Sequence, residues 1–298
     1  MVKDNNVDIF KQAEEFWQDL LQDEITVNAL HSVSENETQV QYENFCLSNE
    51  VGAKIEKISK GNDIAIYMIL LAAYDILLYR YTDVKNNVVV SPVLENNSNG
   101  YNKFVLFRQK IQVSDTFKTL LGQVKKQVTA GYRNQFYPIR KIIEKKDENY
   151  VNRIMNFVLV YNNIHHYDNM KTIVSRFTNQ LFLSVTKEEG SFHFSLEYKQ
   201  GLMERVEAQR MIKALELILS HVVNNADGVI GEMEILTPEE KNKILNVFND
   251  TKVSRDYNTN IIEEFEHIVE ENPEKCCLTF IKKKGDSFVF PSNLCSGE

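Results

Sequence analysis

The chain has 298 residues, 43% of them hydrophobic and 26% charged, with 11 glycines and 5 prolines. These proportions exclude collagen-like, low-complexity and wholly disordered architectures, and the length fits about two domains. With 34 Lys and Arg against 42 Asp and Glu, the net charge is −8, which excludes a general nucleic-acid or anionic-membrane binder because both need clustered basic residues.

The opening Met1-Val2-Lys3-Asp4-Asn5-Asn6 has no apolar signal region. Phe10, Ala13, Phe16, Trp17, Leu20 and Leu21 recur at helical spacing and predict an amphipathic helix over 10–22. Residues 38–47 are rich in β-formers and predict a strand. Asn62 or Asp63 is the expected cap of a helix running to about Arg80, apolar nearly all round and so buried. Its longest apolar run, Ile64 to Tyr74, stops at Asp75, short of the roughly 20 residues a bilayer span needs. No membrane-crossing segment is expected, and a cytoplasmic location is.

Val88-Val89-Val90, closed by Ser91-Pro92, predicts a strand covered on both faces. A turn-rich loop, 95–100, leads to a strand over 104–113 and a striped helix with Phe117, Leu120, Leu121, Val124 and Val128 on one side. Residues 156–161 predict another interior strand. From 191 to 199 the alternation is regular, with Phe192, Phe194, Leu196 and Tyr198 on one face. A long helix follows through Ala208, Met211, Leu215, Ile218 and Val222, stopped by Asn224, Asn225 and Gly228. Thr237-Pro238-Glu239-Glu240 forms a capping box, 249–260 reads as a linker, 261–269 as a helix, and 282–298 shows no period. Strands alternating with helices predict an α/β layered domain.

The four cysteines, Cys46, Cys276, Cys277 and Cys295, lack metal-hook spacing and read as reduced, buried or incidental thiols. The adjacent acidic pairs Glu14/Glu15, Glu239/Glu240 and Glu263/Glu264 do not face each other on a helix and read as solvated surface. Lys282-Lys283-Lys284 reads as a solvated turn.

Several motifs, taken in order, resemble the C-terminal half of the condensation domain of nonribosomal peptide synthetases. Phe16-Trp17-Gln18-Asp19-Leu20-Leu21 resembles the family's "YW..L" segment. Ile69 to Tyr74, Leu77 to Thr82 and Val88 to Val93 resemble its "LLAAF..LL.RYSG..D.VVG.PV" stretch. Phe117 to Val124 is similar to "TF.ELL..V", Asn134-Gln135-Phe136-Tyr137-Pro138 to "HQDYPFE", and Asn152 to Asn162 to "RNPLFQVMFVLQN". Ile235 to Glu240 and Val247 to Thr251 resemble the hinge that leads into an adenylation domain.

The resemblance implies a chloramphenicol-acetyltransferase-like α/β lobe with a mixed sheet covered by helices over 1–235, and a linker with a truncated adenylation start over 236–298. Two such lobes in the family enclose a channel, where carrier-borne phosphopantetheine arms deliver the groups joined by an amide bond. No covalently bound cofactor is implied; the arms are substrates. The implied partners are carrier protein domains or a complementary N-terminal lobe, with a homo-oligomer as an option.

The family's catalytic HHxxxDG is not matched. His165-His166 is followed by Tyr167-Asp168-Asn169-Met170-Lys171, with Met170 and Lys171 where Asp and Gly are needed. The pair reads as a polar loop, so no catalytic residue is assigned and the chain is expected to be inactive alone, a gene fragment or half of a split enzyme. By analogy the substrate channel falls on Asn134, Gln135, Tyr137, Arg153 and Asn162, although a structural turn with Pro138 at the first helical position is the favoured account of Asn134, Gln135 and Tyr137, and a structural role, such as an internal ion pair, that of Arg153. Counting back from Thr116-Phe117, Arg108 takes the Arg of "FVNT...R", and the "FVNT" positions fall on Tyr101, Asn102, Lys103 and Phe104. The adenylation phosphate loop and a carrier-type serine motif are absent, so neither ATP binding nor thiolation is expected. The alternatives are a non-catalytic interaction module and an independent acyltransferase centred on His165-His166.

Overall fold

The computed structural model describes residues 2–22, 39–94, 102–165, 170, 181–251, 260–273, 276–281 and 287–291. Its contacts divide the chain into two compact units, Met1–Lys241 and Asn242–Glu298.

The first unit carries a six-stranded mixed sheet in the order β1-β6-β5-β4-β2-β3, where β1 is Val40–Cys46, β2 Val88–Pro92, β3 Phe104–Arg108, β4 Phe157–Tyr161, β5 Leu181–Glu188 and β6 Ser191–Lys199. The central strands β2, β4 and β5 run parallel; β3 and β6 join them antiparallel, and β1 closes one edge against β6. Val88–Val90 of β2 and the whole of β4 read as apolar runs because both faces of these strands are covered. In β6 Phe192, Phe194, Leu196 and Tyr198 are buried, as their period of two requires.

The helices of this unit are α1 (Val2–Leu20), α2 (Asn49–Ser59), α3 (Asp63–Thr82), α4 (Phe117–Arg133), α5 (Arg140–Ile143), α6 (Glu148–Ile154), α7 (Arg205–Asn224) and α8 (Pro238–Asn242). Asn62 is the cap of α3, its side chain accepting from Ala65 N at 2.9 Å. Helix α3 packs against α2, α4 and α7, which explains apolar residues around its whole girth. By length and composition α3 could cross a membrane, contrary to the sequence expectation, since Asp75 and Arg80 together leave its 18-residue window apolar enough. In this fold 72% of that window is buried inside the protein, as in the central helix of a core.

Two further expectations are corrected, and two elements are new. Strand β3 ends at Arg108 rather than 113. Helix α5 begins at Arg140 after the cap Ile139, so Pro138 lies ahead of the helix and not at its first position. Helix α2 and strand β5 were not anticipated at all.

The second unit contains a π-helical turn (Lys243–Val247), α9 (Ile261–Glu271) and an antiparallel pair, β7 (Cys276–Ile281) with β8 (Ser287–Pro291). Strand β8 falls in the 282–298 stretch where the sequence showed no period, and β7 just ahead of it. Asn260 opens α9 through a capping box with Glu263. The 95–100 loop, His166 and Lys282-Lys283-Lys284 lie outside the described residues.

Candidate functional site

The parallel strands β2 and β4 end on the same side of the sheet, and the segments that follow them converge there. In an open α/β sheet this carboxyl edge is where ligands are met. Three groups of residues occupy it.

The first is the turn between α4 and α5. Asn102, buried just before β3, donates to the carbonyls of Gln135 and Tyr137 and accepts from Ile139 N at 3.1 Å. Asn134 offers its carbonyl to Trp17 Nε1 at 3.0 Å, which ties the turn to α1. Gln135 accepts from Leu94 N, just past β2, at 3.2 Å. Phe10, Lys11 and Glu14 of α1 and Tyr137, Lys141, Glu144 and Lys145 line an open groove of about 860 Å³. Partial desolvation pushes the Tyr137 hydroxyl up to about 12, helped by its bond to Glu14. Asn102 is the anchor that sequence reasoning missed: counting assigned the family's Asn to Lys103, whereas the residue that holds the turn is one position earlier. A lone Asn at a strand start was the available signal.

The second is a closed hydrogen-bonded chain around β4. β2 stops pairing with β4 at Val90–Val158, and Pro92 has no N–H to extend the ladder. Side chains take over. Tyr161 N donates to His165 Nδ1 at 3.1 Å, which leaves the ring proton on Nε2; Nε2 lies 2.6 Å from the Tyr132 hydroxyl and donates to it. Tyr132 bonds to Tyr67, Tyr67 lies 2.6 Å from Ser91 Oγ, and Ser91 donates to the Leu159 carbonyl at 2.8 Å. The chain begins and ends on β4, two residues apart. His165 is thus a buried core residue, only 2% exposed, and not part of a polar loop. Burial depresses its imidazole to about 3, so it stays neutral.

The third group lies across β1, β6 and β5. Asn162, just past β4, donates to Thr186 Oγ1 at 2.7 Å, while its own Oδ1 is buried without a partner. Thr186 stands opposite His193, and His193 opposite Cys46. Cys46 is a free, exposed thiol at the last position of an edge strand, so of the two alternatives it is not the buried one.

Of the candidate channel residues, Asn134, Gln135 and Tyr137 are brought together, with Asn134 and Gln135 held largely through backbone groups. Asn162 belongs to the third group. Arg153 is exposed on the last turn of the short α6, so the internal ion pair considered for it is not formed. Arg108, by contrast, is buried, donating to the Leu20 carbonyl and to Asn86 Oδ1, both at 2.9 Å. Among the described residues no His, Cys, Asp and Glu cluster suited to a metal ion occurs.

The fold defines the class: a mixed sheet covered by helices, of the chloramphenicol-acetyltransferase-like kind. A solved four-domain nonribosomal peptide synthetase bound to AMP and glycine superposes with a TM-score of 0.67 at 16% identity, over 90% of this chain and 23% of its own. The X-domain from teicoplanin biosynthesis gives 0.60 at 14% identity, over 76% and 57%. The condensation-domain family model matches residues 5–245, and the chain belongs to that family. Relatives include gramicidin S synthase 2 of Brevibacillus brevis, 25% identical over 91% of this chain, and bacitracin synthase 3 of Bacillus licheniformis, 25% identical over 92%. The chain spans 7% and 5% of the lengths of those two proteins.

Proposed function

We propose that residues 1–241 form one wall of an amide-forming acyltransferase and make no amide bond without a second lobe that carries HHxxxDG, whether that lobe belongs to the same polypeptide or another. The observation that supports this is the state of His165. Both ring nitrogens are committed, to Tyr161 N and to the Tyr132 hydroxyl, in a dry core. An imidazole depressed to about 3 and sealed from solvent does not meet a substrate amine and does not accept its proton near neutral pH. This also argues against an independent acyltransferase centred on the His-His pair.

The substrates on this reading are acyl and aminoacyl groups on the phosphopantetheine arms of carrier proteins, in the cytoplasm, and the chain holds no cofactor of its own. Asn134, Gln135 and Tyr137 form part of the channel wall, fixed by Asn102 and Trp17. The test is direct. The purified chain, mixed with a loaded donor carrier and a loaded acceptor carrier, gives no amide product by mass spectrometry, and adding a lobe with HHxxxDG restores product. Product from the chain and carriers alone overturns the proposal.

A second reading, a docking module for a carrier protein, a lobe or a second copy, is favoured by the outer edge of β1. There Val40 and Tyr42 are exposed and, among the described residues, no further strand lies beside the backbone. Light scattering that shows a clean monomer at high concentration counts against self-association.

A further inference from the structure

We propose that Cys46 and His193 form a thiol–imidazole site that accepts acyl groups from thioesters. The inference uses the acyl-thioester substrates of the proposed function and adds a covalent acceptor on this chain.

The geometry comes from register. Gln200 N donates to the Gln39 carbonyl and Leu47 N to the Phe192 carbonyl, which fixes the odd-numbered residues of β1 as the hydrogen-bonded positions. Cys46 opposite His193 is therefore a non-hydrogen-bonded pair, the kind whose side chains approach most closely, with Cβ atoms about 4.5–5.5 Å apart. Thr186 faces His193 from the other side, and Asn162 is bonded to Thr186. Two residues along lies a second row, Asn44, Ser195 and Ser184. The two rows line a depression of about 410 Å³. It holds one thiol, one imidazole, one amide and three hydroxyls on the face of a rigid sheet. The thiol is held weakly at rest, 3.7 Å from the Leu47 carbonyl.

In the reaction His193 takes the Cys46 proton and the thiolate attacks the thioester carbonyl carbon. The Ser195 hydroxyl and the Asn44 amide, on the adjacent row, are the donors for the carbonyl oxygen. A new carbon–sulfur bond forms to Cys46, the bond to the leaving thiol breaks, and the imidazolium returns its proton to that thiol. Acyl exchange between two sulfurs needs no oxidant or reductant.

The probe is the N-acetylcysteamine thioester of acetate, which needs neither a carrier nor a second lobe, so failure here is separate from failure of amide formation. Intact mass and peptide mapping follow the acyl adduct, and thermal unfolding of each variant checks its fold. We expect one adduct on the Cys46 peptide, forming faster than on free N-acetylcysteine in the same buffer. Cys46→Ser abolishes it, and His193→Gln slows it about 100-fold, the lower end of a general base's contribution. Acylation of Cys46 no faster than of the free thiol, or unaltered by His193→Gln in a folded protein, overturns the proposal.

Discussion

Replacing Asp75 with Ala stabilises the first unit, by an amount that grows with pH. Asp75 lies wholly buried in α3, and neither of its carboxyl oxygens has a hydrogen-bond partner. Burial holds its carboxyl well above the usual range, so the folded chain retains a proton that the unfolded chain releases near pH ~3.9. Above about pH 4 the folded state thus binds more protons than the unfolded state, and stability falls as pH rises. The loss is up to about 1.4 kcal/mol per pH unit, until the folded carboxyl itself ionises. A constant part comes from the unsatisfied acid, about 1–3 kcal/mol, with up to about 0.7 kcal/mol more from the better helix propensity of Ala. The gain on Asp75→Ala is therefore about 2 kcal/mol at pH 4 and widens with each unit beyond. Asp75→Asn keeps the buried polar atoms and removes only the slope. Urea unfolding of wild type and both variants, from pH 4 to 8, is read through Trp17, the single tryptophan and itself fully buried. A variant no more stable than wild type at pH 7, or an Asp75→Ala gain that does not change with pH, refutes the reasoning.

His165 has the opposite sign. Its folded value of about 3 lies below the unfolded value near ~6.5, so its contribution is whole above pH ~6.5 and shrinks by up to about 1.4 kcal/mol per unit as pH falls towards 3. His165→Gln flattens that acid limb in the same urea series, at a cost in stability near neutral pH. Asn102→Ala frees three backbone groups and is expected to cost roughly 2–4 kcal/mol, and Asn102→Asp fails to rescue because a carboxylate cannot donate to the Gln135 and Tyr137 carbonyls. Gly131→Ala, normally stabilising in a helix, costs about 1–3 kcal/mol here, since the new Cβ would lie 2.7 Å from Phe107 Cε1; thermal unfolding checks the sign. Trp17→Phe loses the bond to the Asn134 carbonyl and lowers stability by about 1 kcal/mol, measured by circular dichroism.

What was legible in the sequence was local periodicity. Helix α3 announced itself by apolar residues on every side between a good cap and Arg80, and β6 by strict alternation. Helix α2 escaped because only Val51 and Ile55 supply its buried apolar side chains within eleven residues, too few to set a period. Strand β5 escaped because Leu181-Phe182-Leu183 is a short apolar run that periodicity cannot assign. The site was harder for a different reason. His165 is buried by virtue of Tyr132, 33 residues upstream, and no spacing rule relates the two. Cys46 meets His193 only because β1 pairs with β6, a choice made by the whole fold. The turn at 134–138 was noticed as a polar cluster, but its anchor Asn102 lies far upstream, just ahead of β3.

The same pairing sets an order of events during synthesis. The first strand of the sheet is bonded to the last, with Gln41 and Gln200 joined across 159 residues. At about 5–20 residues per second, a ribosome delivers β6 roughly 8–30 s after β1. For the later part of that interval α3 is already made, while β5 and α7, which pack against it, do not yet exist. The nascent chain is accordingly expected to expose apolar surface until its late strands arrive.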